Sequence, residues 1–213
     1  MADSSRMTEL DLLVGSMFTT RPEEDRELFE EEREWLSDIQ DWLREEGIEV
    51  DLLSRPGVEI WEGGIDRFMD LYQLRRMAAY LEQGRDLAPI LKGNGADDSE
   101  LDPALTAIWD GERATRFPQL INHQPDGGYY LPVDFDEPIW LANGEEEDAD
   151  DEEWEDSVVN FGSSVALQRE LAELENMFQQ SKVPAKIGAY RCLKVLREAA
   201  DQSVANDLPI IVW

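Results

Sequence analysis

Between residues 145 and 156 the chain reads EEEDADDEEWED, ten acids in twelve positions without a base. A second run, EEDRELFEEERE over 23–34, sets eight acids against Arg26 and Arg33. The first run contributes ten and the second six of a formal net charge of −30. Carboxylates this dense cannot enter a core, because an unpaired charge in a low-dielectric interior is far too costly. Any fold must therefore hold both runs at the surface and build its interior from the rest. The rest suffices: 42% of the 213 residues are hydrophobic, seven of them Trp, so the chain is expected to form one globular unit and not a disordered polyanion.

The same charge narrows the partners. Nucleic-acid affinity comes from neutralising phosphates with Lys and Arg, and anionic lipid likewise selects basic surfaces. A chain with 49 acids and 19 bases is expected to avoid both and to attract a basic protein, chiefly by speeding its encounter. The stretch 182–213 is the exception, with five bases (Lys182, Lys186, Arg191, Lys194, Arg197) against Glu198, Asp201 and Asp207. No apolar run approaches the roughly 18 residues of a membrane span. Asp3, Glu9 and Asp11 stand where a signal peptide would carry positive charge, so the expected location is cytoplasmic. One cysteine and one histidine leave no internal disulfide and no Cys- or His-cluster metal centre.

Apolar periodicity predicts an α+β domain over 1–213, with four to six helices on a small sheet of three to five short strands, and 145–156 as a flexible acidic loop. Leu10, Leu12, Leu13 and Val14 predict a short helix or strand that docks on the core. Pro22 and the acids after it predict a helix start, Leu28, Trp35, Ile39 and Trp42 or Leu43 its buried face, and Gly47 its end. Alternation over 48–53 and 57–61 around Ser54-Arg55-Pro56-Gly57 predicts a hairpin. Helices are expected after Asp66, from Pro103 to Asp110, after Ser163 and after Pro184, and a terminal strand over Leu208–Trp213. Tyr129 to Phe135 alternates as a half-buried strand, placed near a sheet edge because Pro132 cannot donate to a ladder.

Tests for chemistry mostly exclude. Gly93 and Gly95, beside Lys92, match no phosphate-binding loop. Ser163 and Ser164 lie outside a nucleophile elbow, and a triad would need His123, which reads as a loop histidine bonded to turn backbone. Cys192 sits on an apolar helix face and reads as a core thiol. Asp134 and Asp136 are the one pair with an open alternative. Strand alternation would aim both to one side about 7 Å apart, where they could hold a divalent cation or do acid–base work. Trp154, alone among the acids of its tract, either folds back onto the domain or anchors a basic partner.

The segments INHQPDGGYYLPVDFDEPIW and FGSSVALQRELAEL resemble a group of small uncharacterised acidic bacterial proteins that share the aromatic strand, the acidic break and the following helix. In general character the chain is also similar to the immunity proteins of bacterial toxin systems. That resemblance implies an inhibitor of a cationic toxin or nuclease, with no catalytic residue to transfer. The expected function is accordingly a non-enzymatic protein that engages a basic protein partner without a cofactor. Its contact residues would be Glu30, Glu31 and Glu34 on the first helix, with Glu145, Glu146, Glu147, Asp148, Asp150, Asp151, Glu152, Glu153, Trp154, Glu155 and Asp156 in the tract. The alternatives are a small metal-dependent enzyme built on Asp134 and Asp136, and a domain whose acids confer only solubility.

Overall fold

A computed structural model describes residues 8–92, 101–142 and 158–213. Six strands form one mixed sheet: β1 (Leu10–Gly15), β2 (Glu59–Ile65), β3 (Tyr129–Leu131), β4 (Ile139–Ala142), β5 (Val158–Ser163) and β6 (Ile210–Val212), in spatial order β2-β1-β6-β3-β5-β4. Only β3 and β5 run parallel; the other pairs are antiparallel. Four long helices flank the sheet: α1 (Arg26–Glu45), α2 (Phe68–Glu82), α6 (Ser164–Gln180) and α7 (Gly188–Asn206). Three short ones, α3 (Ala88–Lys92), α4 (Pro103–Trp109) and α5 (Pro118–Ile121), complete the seven among the described residues. The class is α+β as expected, with one strand and one helix more than the upper expectation.

The core divides at the sheet. Leu10, Leu12 and Val14 of β1 and Tyr130 of β3 join α2, α6 and α7 in one buried cluster. Leu131 and Phe161 point the other way and join Leu36, Ile39 and Leu43 of α1 in a second. Side chains alternate across a strand, so neighbouring residues such as Tyr130 and Leu131 bind opposite layers to one backbone. The terminal strand β6, read from its apolar run, lies in the middle of the sheet between β1 and β3.

Two expectations are corrected. The 48–53 segment is not a strand and forms no hairpin; β2 pairs with β1, Leu10 opposite Ile65. The reason is that its backbone donors are taken by side chains: Leu52 N–H by Gln40 (3.0 Å), and Leu53 and Ser54 N–H by Asp51 (3.1 Å each). The aromatic strand is likewise not at an edge. β3 is central, paired with β6 and β5, and it stops at Leu131, just before Pro132. Beyond it the carbonyls of Val133, Phe135 and Asp136 accept from side chains instead of a ladder.

Those side chains are Ser163 and Gln119. Ser163 Oγ donates to Val133 O (2.6 Å) and caps α6 by accepting from Ala166 N–H (3.0 Å). The fully buried Gln119 amide donates to Phe135 O (3.0 Å) and Asp136 O (3.1 Å) and accepts from Ser163 N–H (2.8 Å). Its backbone N–H and that of Leu120 bond to Glu170, whose carboxyl is pushed up to about 8 by burial while the two donors pull it down. Gln119 thus joins α5, β5 and the 132–138 segment with no polar atom wasted. Replacing it by Leu keeps the bulk and strands a buried donor and two acceptors, so Gln119→Leu is expected to cost about 3 kcal/mol. Urea unfolding measures this; a midpoint equal to that of the parent would show the network to be dispensable.

Candidate functional site

α1 owes its position to three residues. Leu36, Ile39 and Leu43 recur every three to four residues and are essentially inaccessible. Leu28, expected in that stripe, is 45% exposed, and Trp35 and Trp42 are half-buried on its flank. The helix begins at Arg26, not Pro22, because Asp25 is its cap, accepting from Glu27 and Leu28 N–H at 3.0 and 3.2 Å. Gly47, just past the end, takes a positive φ of 80°, which glycine adopts without a Cβ penalty.

Glu32 is the one acid of α1 turned toward the body. It accepts the backbone N–H groups of Thr19 (3.1 Å) and Thr20 (2.9 Å) and both hydroxyls (2.6 and 2.9 Å). Burial alone would raise its pKa; the four hydrogen bonds outweigh burial and hold it below the ordinary glutamate value. Glu32 therefore ties the helix to the strand-to-helix connection.

The remaining acids face out. Glu27, Glu30, Glu31, Glu34, Asp38, Asp41 and Glu45 are all exposed. At 100° per residue they fall in a band about 100° wide, opposite the buried stripe. Glu30 and Asp41 pair with Arg33 (3.4 Å) and Arg44 one turn away. Glu27, Glu31, Glu34, Asp38 and Glu45 have no side-chain partner among the described residues. The sequence reading named only Glu30, Glu31 and Glu34; Glu27 and the continuation through Asp38, Asp41 and Glu45 are legible in the same spacing of three and four.

The bases of the C-terminal stretch are arranged differently. Lys194 and Arg197 on α7 both bind Glu175, which is 5% exposed. Arg191 approaches Asp66 (3.9 Å) and the buried Asp70 (4.0 Å), which also pairs with Arg67 (2.6 Å). These cations neutralise buried carboxylates of their own layer, whereas most α1 acids are unmatched.

Other candidates resolve into structural roles. Asp134 and Asp136 do not alternate on a strand, since β3 ends before them. Asp134 is gripped at both oxygens by Arg169 (2.7 Å each), which lowers its pKa. No cluster of three or more His, Cys, Asp or Glu suited to a metal occurs among the described residues. His123 is buried, its ring nitrogens against the carbonyls of Gln124 (2.8 Å) and Tyr129 (3.1 Å), its face stacked on Tyr130. Burial, with the nearby Arg75 adding to it, brings the pKa down to about 4. Cys192 is buried and its thiol pushed up by desolvation. Gly93, Gly95 and the whole run Glu145–Asp156, with Trp154, lie outside the described residues. No helix among the described residues is long and apolar enough to cross a membrane.

The α1 band places like charges at i,i+3 or i,i+4 seven times over, each such pair costing an isolated helix about 0.2–0.5 kcal/mol. It is not there for stability. Neutralising the five unpartnered acids together (Glu27→Gln, Glu31→Gln, Glu34→Gln, Asp38→Asn, Glu45→Gln) removes all seven pairs and is expected to raise unfolding stability by about 2 kcal/mol at low salt. Denaturant titration reads this directly, and a marked loss of stability would assign the band a folding role.

Compared with protein-family models, residues 8–212 match the family described as "Putative DNA-mimic protein", and the chain belongs to that family. No curated protein and no solved structure matches it.

Proposed function

We propose that this member of the DNA-mimic family binds the DNA-contacting surface of a basic DNA-binding protein, with the outer face of α1 standing in for a run of backbone phosphates. The observation that carries the reading is the band of carboxylates. Glu27 to Glu45 spans about 27 Å at 1.5 Å per residue, one carboxylate per roughly 4.5 Å. A single strand of duplex DNA presents one phosphate per 3.4 Å of axis. Carboxylates accept the same bidentate Arg hydrogen bonds as phosphates, and a helix pinned along its buried side holds them at fixed intervals. A partner selected for phosphate contacts would meet its expected charges without meeting bases.

Steering by the net charge would speed encounter within a Debye length of about 8 Å at physiological salt. Inhibition would follow by occlusion, with no chemistry and no cofactor. Acids serving solubility alone would be spread over the surface; their alignment on one helical face, against matched charges on the opposite layer, favours recognition. The tract Glu145–Asp156 joins the proposal on its sequence, as a second polyanionic element with Trp154 as an aromatic anchor. An immunity-type inhibitor is the narrower version, in which the basic partner is a cationic toxin or nuclease; the small acidic character of the chain is its support.

Displacement tests the proposal. Proteins of the source cell are loaded on immobilised duplex DNA in about 0.1 M salt, where the screening length is still about 10 Å, and challenged with the purified chain. Release of a discrete basic protein is expected, weakening steeply as salt rises and lost for the five-fold α1 variant. No release, or equal release by the variant, would refute the role given to α1.

A further inference from the structure

On the opposite side of the sheet from α1, an open groove of about 370 Å³ runs between α2, the 101–109 segment, the end of α5 and β4. Its volume falls in the range of small-molecule sites. Eight large apolar side chains are exposed among the described residues, and four of them, Phe68, Leu101, Trp109 and Trp140, line this groove. Such clustering marks a binding patch, whereas single exposed apolar residues do not. The walls are held in place: Trp109 Nε1 donates to Ile121 O (3.0 Å), and Tyr72 Oη accepts from Asp102 N–H (2.8 Å).

Arg75 also lines the groove, and it is the anomaly of the molecule. Its side chain is 5% exposed, no carboxylate pairs with it among the described residues, and its Nη2 donates to a backbone carbonyl, that of His123 (2.8 Å). Its Nε is buried with no partner, as is Oδ1 of Asn122, another lining residue. Among the described residues the buried acids all have partners: Asp70 has Arg67, Asp102 has Arg76, Glu175 has Lys194 and Arg197, and the Glu170 carboxyl accepts from two backbone N–H groups. A buried guanidinium without a counter-charge is expensive, and none of the acids among the described residues supplies one.

We propose that the groove binds a small aromatic carboxylate whose ring lies among Phe68, Trp109 and Trp140 and whose carboxylate is the missing counter-ion of Arg75. A hydroxyl or N–H beside the carboxylate satisfies Asn122 Oδ1. The overall negative charge of the protein does not forbid this, because α1 lies across the sheet and its field is screened within about 8 Å at physiological salt. The site is independent of the α1 reading, and either can fail alone.

Calorimetry on the full chain tests it with three probes: salicylate, benzoate, which lacks the hydroxyl, and benzyl alcohol, which lacks the charge. Saturable binding of salicylate is expected below millimolar concentration, several-fold weaker for benzoate and at least tenfold weaker for benzyl alcohol. Arg75→Met should fold at least as well as the parent, since it removes an unpaired buried charge, and should abolish the preference for carboxylate over alcohol. Trp140→Ala, at a 52% exposed position, should fold normally and weaken all three probes. Absence of saturable binding up to 10 mM, or binding that neither substitution alters, would overturn the proposal.

Discussion

The structure turns on the burial of one side of α1. Leu36, Ile39 and Leu43 are 0–1% exposed against the sheet face that carries Leu131 and Phe161. Full burial of such side chains is worth about 1.5–3 kcal/mol each. The seven like-charge neighbours on the outer face cost about 2–3 kcal/mol together, offset in part by the Arg33 and Arg44 pairs. The apolar contribution is the larger, so the helix holds against its own repulsion. Because it docks by one stripe, its carboxylates are forced into a line on the other side. Asp25 and Glu32 fix where that line begins and how the helix is tied to the chain before it.

The second consequence of the layered sheet is a separation of electrostatic roles. On the layer of α2, α6 and α7, the buried Asp70, Asp102 and Glu175 are matched by Arg and Lys, and three of the five C-terminal bases, Arg191, Lys194 and Arg197, take part in that matching. On the α1 layer most of the acids are left without a side-chain partner among the described residues. Arg75 breaks the pattern from the other direction, a buried cation lining an apolar groove with no anion paired to it among the described residues.

Much of this was legible in the residues. The long helices, the capping of α6 by Ser163 and the burial of Leu208, Ile210 and Val212 in the C-terminal run follow from spacing of three to four, a hydroxyl before an apolar period, and a block of branched residues, although the strand is shorter than the run and Trp213 is 53% exposed. The 48–53 segment misled because alternation reports only which side chains are buried. It does not report that Gln40 and Asp51 would take the backbone donors a ladder needs. Pro132 misled in a similar way: it ends β3, but the strand before it is central, all three of its residues paired with β5 and Tyr129 and Tyr130 also with β6. The first helix was legible from its apolar spacing and Gly47, but its acidic face was read only as far as Glu34; following the acids at the same spacing extends it to Glu45. The Arg75 groove left no local signal, since its walls come from four separate stretches of chain.

Mutual exclusion is the most direct test of the account. A DNA-binding protein released by the chain is mixed with both the chain and a short duplex, and the species are resolved by analytical ultracentrifugation at several ratios. Mimicry predicts only the two binary complexes, with duplex and chain displacing each other in proportion to concentration. A stable ternary complex, in which the partner holds DNA and the chain at once, would contradict it.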